Sequence, residues 1–218
     1  MKNMKKILLT MVAALLLVVM SVGGTLAYLQ SQTEDVKNTF TVGKIDITLD
    51  ETKVNEEGEA IEGADRVTEN EYKLMPGHEY IKDPIVHVAA DSEESYIRIF
   101  VTIDKIDALK NIFGADFMPE DFVGGTWDAS KWPCVDIKSN GDANTYEFRY
   151  YTTVSTEDGA AIDLPALFQK IVIPGTVTNA QIDTLAGLNI DIYAQAIQKD
   201  GFESADDAWA KWSTSQPK

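Results

Sequence analysis

Cysteine, histidine and basic side chains are the scarce groups in this chain of 218 residues. Cys134 is the one cysteine, which excludes an intrachain disulfide, and no Asn-x-Ser/Thr sequon is present. Beside Trp132 and Pro133, Cys134 reads as a small buried hydrophobe. Nineteen Lys and Arg stand against 35 Asp and Glu, a formal charge of −16. Nucleic-acid binding needs basic residues to neutralise phosphates, and a field of this sign repels them. The two histidines are His78 and His87. His78-Glu79 begins like a zinc-protease helix, but the second histidine would stand at position 82, where Lys82 sits. His87, between Val86 and Val88, reads as an outward or hydrogen-bonded strand residue. A Gly-x-Ser-x-Gly elbow, a Gly-x-x-x-x-Gly-Lys phosphate loop and a dinucleotide fingerprint are all missing. The acidic stretch 51–71 lacks the spacing of a calcium loop and reads as a solvated excursion, open to weak divalent binding.

Long apolar runs are also rare; the chain has one, and it is informative. Lys2, Lys5 and Lys6 form a basic head, and residues 7–22 follow as an apolar run broken by Thr10 and Ser21. GGTLAY at 23–28 then places small residues Thr25 and Ala27 three and one positions before a cut. This order is a secretory signal peptide, 1–27, cleaved between Ala27 and Tyr28. The run is shorter than the roughly 20 apolar residues that span hydrocarbon. An uncleaved anchor is the other reading, and the acidic flank at Glu34 and Asp35 argues against it. Removing residues 1–27 takes away three lysines and leaves 16 basic against 35 acidic side chains, a formal charge of −19. Export without disulfides or glycan acceptors reads as bacterial, and as Gram-positive.

Residues 28–39, YLQSQTEDVKNT, are polar and glycine-free, with apolar side chains at Tyr28, Leu29 and Val36. Such a segment cannot bury itself; extended at about 3.3 Å per residue, it reaches roughly 40 Å. Alternation begins at Phe40 and Val42, shifts phase at Gly43 as at a bulge, and resumes with Ile45, Ile47 and Leu49. Further strands are read at 78–90, 95–106, 145–155, 167–173 and 188–198, with 95–106 central because both its faces are partly apolar. Asn140-Gly141 is a hairpin turn, and Pro76-Gly77 and Pro174-Gly175 bracket strands. Short helices are expected at 108–113, 179–185 and, behind a Ser204–Asp207 capping box, 205–212. The sum is an all-β fold, a sandwich or closed Greek-key arrangement, forming a single domain over 40–218.

These residues also carry a resemblance. GGTLA at 23–27, the short polar arm and TFTVGKIDITLDE at 39–51 resemble exported biofilm-matrix proteins of Gram-positive bacteria, the camelysin or TasA-like family. PGHEYIKDPIVHVAADSEESYIRIFVTI at 76–103 and AQAIQKDGFESADDAWAKW at 194–212 are similar to theirs as well, whereas 107–176 contribute little. The resemblance implies a signal cut by the dedicated peptidase SipW, and a jelly-roll-like β-sandwich. It also implies subunits that polymerise into extracellular fibres by lending the N-terminal arm as a strand to a neighbour.

The expectation is therefore a structural fibre subunit secreted to the matrix or cell surface. Its binding residues are Tyr28, Leu29, Val36 and Phe40 on the arm. Its partners are other copies of itself, head to tail, the signal peptidase during export, and the cell wall or an anchoring protein. Nucleic acid, and the membrane after cleavage, are excluded. Camelysin carries a metallopeptidase label, but without a His-Glu-x-x-His set the sequence assigns no catalytic residue, cofactor or metal and is read as non-enzymatic. Two alternatives stay open. One is a monomeric surface-binding module, with Trp127 and Trp132 as sugar-stacking platforms; the other is a hydrolase using two facing carboxylates, which needs no distinctive spacing.

Overall fold

Apolar alternation turns into strands wherever turn residues bracket it. The computed structural model describes residues 43–157 and 159–215, with side chains through Trp212. The signal peptide, the cleavage pair Ala27 and Tyr28, and the arm residues Leu29, Val36 and Phe40 lie outside the described residues. Nine strands follow in order: β1 (Ile47–Asp50), β2 (Glu79–Ile81), β3 (Ile85–Val88), β4 (Ser95–Asp104), β5 (Cys134–Asn140), β6 (Ala143–Arg149), β7 (Ile162–Asp163), β8 (Lys170–Val172) and β9 (Ile190–Gln198). Among the described residues there are also four short helices: α1 (Ile106–Phe113) and α2 (Pro119–Phe122) between β4 and β5, α3 (Asn179–Thr184) between β8 and β9, and α4 (Ala205–Ser215) after β9. All pairings are antiparallel, in three sheets of order β1-β3-β7, β2-β8 and β5-β6-β4-β9. The chain is all-β with a few short helices, and its described strands close no barrel.

β4 is central, as its two apolar faces require. Ile97, Ile99, Val101 and Ile103 are at most 2 % exposed on the core face. On the other face α4 covers Arg98, whose guanidinium carbon lies 4.0 Å from the Trp209 ring and 4.7 Å from that of Phe100. The β5–β6 hairpin closes through Gly141, whose φ of 62° is one that glycine adopts freely. α1 ends at Gly114, and α3 starts in a reciprocal cap in which Thr178 Oγ1 accepts the Gln181 N–H (3.3 Å) and Gln181 Oε1 accepts that of Thr178 (3.0 Å). Ser204 Oγ likewise accepts the Asp207 N–H at 3.2 Å.

Two expectations need correction, while the bulge read at Gly43 involves Phe40 and Val42, which lie outside the described residues; residues 43–46 are irregular and β1 begins at Ile47. The strand read over 145–155 stops at Arg149, because Tyr151 N–H turns to the Lys131 carbonyl (3.0 Å) and the Tyr150 ring packs 4.9 Å from Trp132. The acidic stretch 51–71 is anchored rather than free: Glu51 is buried, and Gly58 lies so close to Tyr80 that an added Cβ would sit 2.5 Å from its ring. Its Glu56, Glu57, Glu59, Glu62 and Asp65 are exposed, as expected.

Candidate functional site

β5 and β9 are the two margins of the four-stranded sheet, and β9 is the one without a guard. It ends the four-stranded sheet, hydrogen-bonded to β4 along its whole length and to no other described strand. Cα atoms of β1 come within 8 Å of it, but β1 belongs to another sheet. The register against β4 is continuous over all nine residues, with neither lysine nor proline inside it. The opposite margin differs: β5 carries Lys138 and an irregularity between Cys134 and Asp136, two devices that discourage strand addition. The core-facing row of β9, Ile190, Ile192, Ala194 and Ala196, is half-buried, whereas its β4 neighbours are sealed. An edge strand with open hydrogen-bonding groups and a half-covered apolar row is a template for one more strand.

At the entry to β9 lies a cavity of about 570 Å³. Leu74, Ile171, Ile182, Leu185, Leu188 and Ile190 form its apolar wall, and Glu69, Glu71 and Asp183 stand exposed at its rim. Lys82 reaches it too but is neutralised from behind. Its Nζ lies 2.7 and 3.0 Å from the two Glu51 carboxylate oxygens, and both side chains are at most 8 % exposed. Tyr72 packs over this pair, donating to the Ile81 carbonyl at 3.0 Å. Burial, then the Glu51 charge, pushes its phenol well above the usual range.

A second polar cluster ties β1, β3 and β7 to the 51–71 stretch. His87 Nδ1 lies 2.6 Å from Asp163 Oδ1, and Nε2 lies 2.9 Å from Asp50 Oδ1. Arg66 binds Asp50 and, at 3.0 Å, Asp83. Burial opposes the charge on His87, but the hydrogen bonds to Asp163 and Asp50 outweigh it and raise its pKa. The stabilisation is therefore complete below the unfolded value of about 6.5 and is lost as pH rises through the higher folded value. The urea midpoint of the wild type is expected to fall between about pH 6 and 8, and to fall less in His87→Gln. Equal slopes in equilibrium unfolding curves would remove His87 as the source.

Trp127 and Trp132 are structural. Trp132 is fully buried and donates its indole N–H to the Pro165 carbonyl at 2.9 Å. Trp127 donates to the Trp132 carbonyl at 2.8 Å and meets the Phe148 ring edge-on, so both indoles are held by the fold. Cys134 is half-buried against the core, and burial raises its thiol pKa. Neighbouring residues in the sequence hinted at none of the Glu51–Lys82, Arg66–Asp50 or Arg98–Trp209 pairings, whose partners stand 31, 16 and 111 positions apart.

Residues 2–76 fit the family described as camelysin metallo-endopeptidase. No curated protein and no solved structure matches the chain. Among the described residues no helix is long and apolar enough to cross a membrane. The family description corrects the expectation of a non-enzymatic chain: it points to peptidase chemistry, for which the chain has to be assayed. The described residues do not fit the metal that such chemistry implies, and no group of three or more His, Cys, Asp or Glu among them is arranged to hold one. His87 has both ring nitrogens committed to carboxylates, and Arg66 places a fixed positive charge on Asp50 beside it. His78 stands in a turn before β2, and position 82, one helical turn on in a zinc-protease helix, holds the ion-paired Lys82. Over its first 76 residues the chain carries the sequence pattern of the camelysin family, the resemblance already visible in its signal-like start and its 39–51 strand sequence.

Proposed function

We propose that the chain is exported by cleavage after Ala27 and serves as a structural subunit of extracellular, biofilm-matrix fibres. Subunits join head to tail: residues 28–39 of one copy add as a strand to the free edge of β9 in the next. The observation that carries this reading is that edge, nine residues long, in unbroken register with β4, free of lysine and proline, and half-covered on its apolar side. Strand addition supplies backbone hydrogen bonds worth about 0.5–1.5 kcal/mol each, so a nine-residue ladder gives tight joining even from a polar arm. A donated arm and a receiving edge on different parts of one molecule form a heterologous contact, which propagates instead of closing. Cleavage frees the arm, so export and assembly are coupled.

The test compares the chain beginning at Tyr28 with the chain beginning at Phe40, by sedimentation and negative-stain microscopy. Filaments are expected from the first and none from the second. Equal filaments from both would refute arm donation, and none from either would refute the fibre reading.

A further inference from the structure

We infer that the cavity at the entry to β9 captures the new N-terminus of a second copy of this chain, its α-ammonium together with the Tyr28 and Leu29 side chains. The inference rests on the arm-donation reading and names the site at which that contact is anchored. The arm explains why an anchor is needed. Its middle, QSQTED at 30–35, has no apolar residue, so burial can come only from its two ends: Tyr28 and Leu29 at one, Val36 and Phe40 at the other.

The cavity suits the first of these ends in shape, charge and position. Its volume of about 570 Å³ falls in the range of roughly 300–1,000 Å³ that accommodates small ligands. The lining is mixed: Leu74, Leu188 and Ile190 are half-buried apolar side chains that suit an aromatic ring and an isobutyl group, set among polar groups that make up the larger share of the exposed surface. Glu69, Glu71 and Asp183 have no ion-pair partner among the described residues, so the rim carries uncompensated negative charge. Lys82 does not offset it, because Glu51 already neutralises that ammonium. Position fits as well. Leu188 and Ile190 belong both to the wall and to the approach to β9. With residues 28 and 29 seated there, residues 30–38 run parallel along the nine residues of Ile190–Gln198.

Before cleavage residue 28 is an internal amide without charge. After cleavage it is an amine with a pKa of about 7.7–8.0, largely protonated at neutral pH. Proteolysis thus creates the cationic group that the acidic rim recognises, as in other sites that capture a terminal amine.

The experiment uses the full mature chain beginning at Tyr28 with a free amine, the same chain Nα-acetylated, and the free-amine variant Glu69→Gln/Glu71→Gln/Asp183→Asn. Elongation from sheared seeds is followed by light scattering and pelleting. Acetylation changes no residue of the described fold, and the three substitutions sit on exposed positions, so folding is preserved. Acetylation and the triple substitution are each expected to slow elongation about tenfold, and acetylating the triple variant is expected to add little further, because both remove the same charge contact. If acetylated and free chains elongate equally, the capture of the terminus is overturned while arm donation stands. If acetylation slows growth but the triple variant does not, the amine is recognised elsewhere and this cavity is refuted. If the chain beginning at Phe40 elongates as well as the mature one, arm donation itself fails and this inference falls with it.

Discussion

Lys82→Met is expected to destabilise the chain by about 3–5 kcal/mol, because it leaves Glu51 charged, buried and unpaired. The pair joins β2's end to the start of the 51–71 stretch, with both partners at most 8 % exposed and two short hydrogen bonds between them. Asn70 reinforces the arrangement by donating to the Thr52 carbonyl (2.9 Å) while accepting the Val54 N–H (3.0 Å). Removing the cation leaves the carboxylate either charged in an apolar setting or protonated at a cost in free energy. The double variant Glu51→Leu/Lys82→Met removes both charges and is expected to recover most of the loss, since well-packed hydrophobic replacements of buried pairs are close to neutral. Equilibrium urea unfolding of wild type, single and double variants measures this directly. A single variant within about 1 kcal/mol of wild type would mean that Glu51 is solvated in solution.

Trp132→Ala is the second large effect, expected at about 3–5 kcal/mol. Trp132 is fully buried, its ring packs 4.9 Å from Tyr150, and its indole N–H satisfies the Pro165 carbonyl. The substitution leaves a cavity and an acceptor without its donor. Trp132→Phe keeps most of the apolar volume and loses the donor, so it is expected to cost less, about 1–3 kcal/mol. The pair of variants separates packing from hydrogen bonding in thermal and urea unfolding. A Trp132→Ala protein as stable as wild type would show that the loop over 116–133 repacks without its anchor.

Strands with strict alternation could be read directly. β4 and β9 announced themselves because each carries an uninterrupted apolar row, and the β5–β6 turn because Asn-Gly has few other uses. The cap at Ser204 was legible because it sits within three residues of its partner. The 51–71 stretch failed to reveal its anchoring because each anchor is distant in sequence: Glu51 needs Lys82, and Arg66 needs Asp83. A run of acidic residues looks solvated until one of them is found beneath a lysine. The role of Trp132 stayed open for the same reason, since a ring in a Gly/Pro-punctuated loop is indistinguishable from a surface platform until Pro165 appears as its acceptor. The free edge of β9 was equally hidden, because the pattern of a strand does not say how many neighbours it has.

The unequal margins of the four-stranded sheet have a consequence for growth in the proposed assembly. With Lys138 and the backbone irregularity discouraging addition on one side, and neither device on the other, each subunit of the proposed assembly offers a single place for a successor. A growing polymer then exposes one receptive terminus, whatever its length. An isolated arm peptide bound there blocks extension at that terminus alone, while the opposite terminus still lends its own arm to an incoming subunit, so growth becomes one-directional.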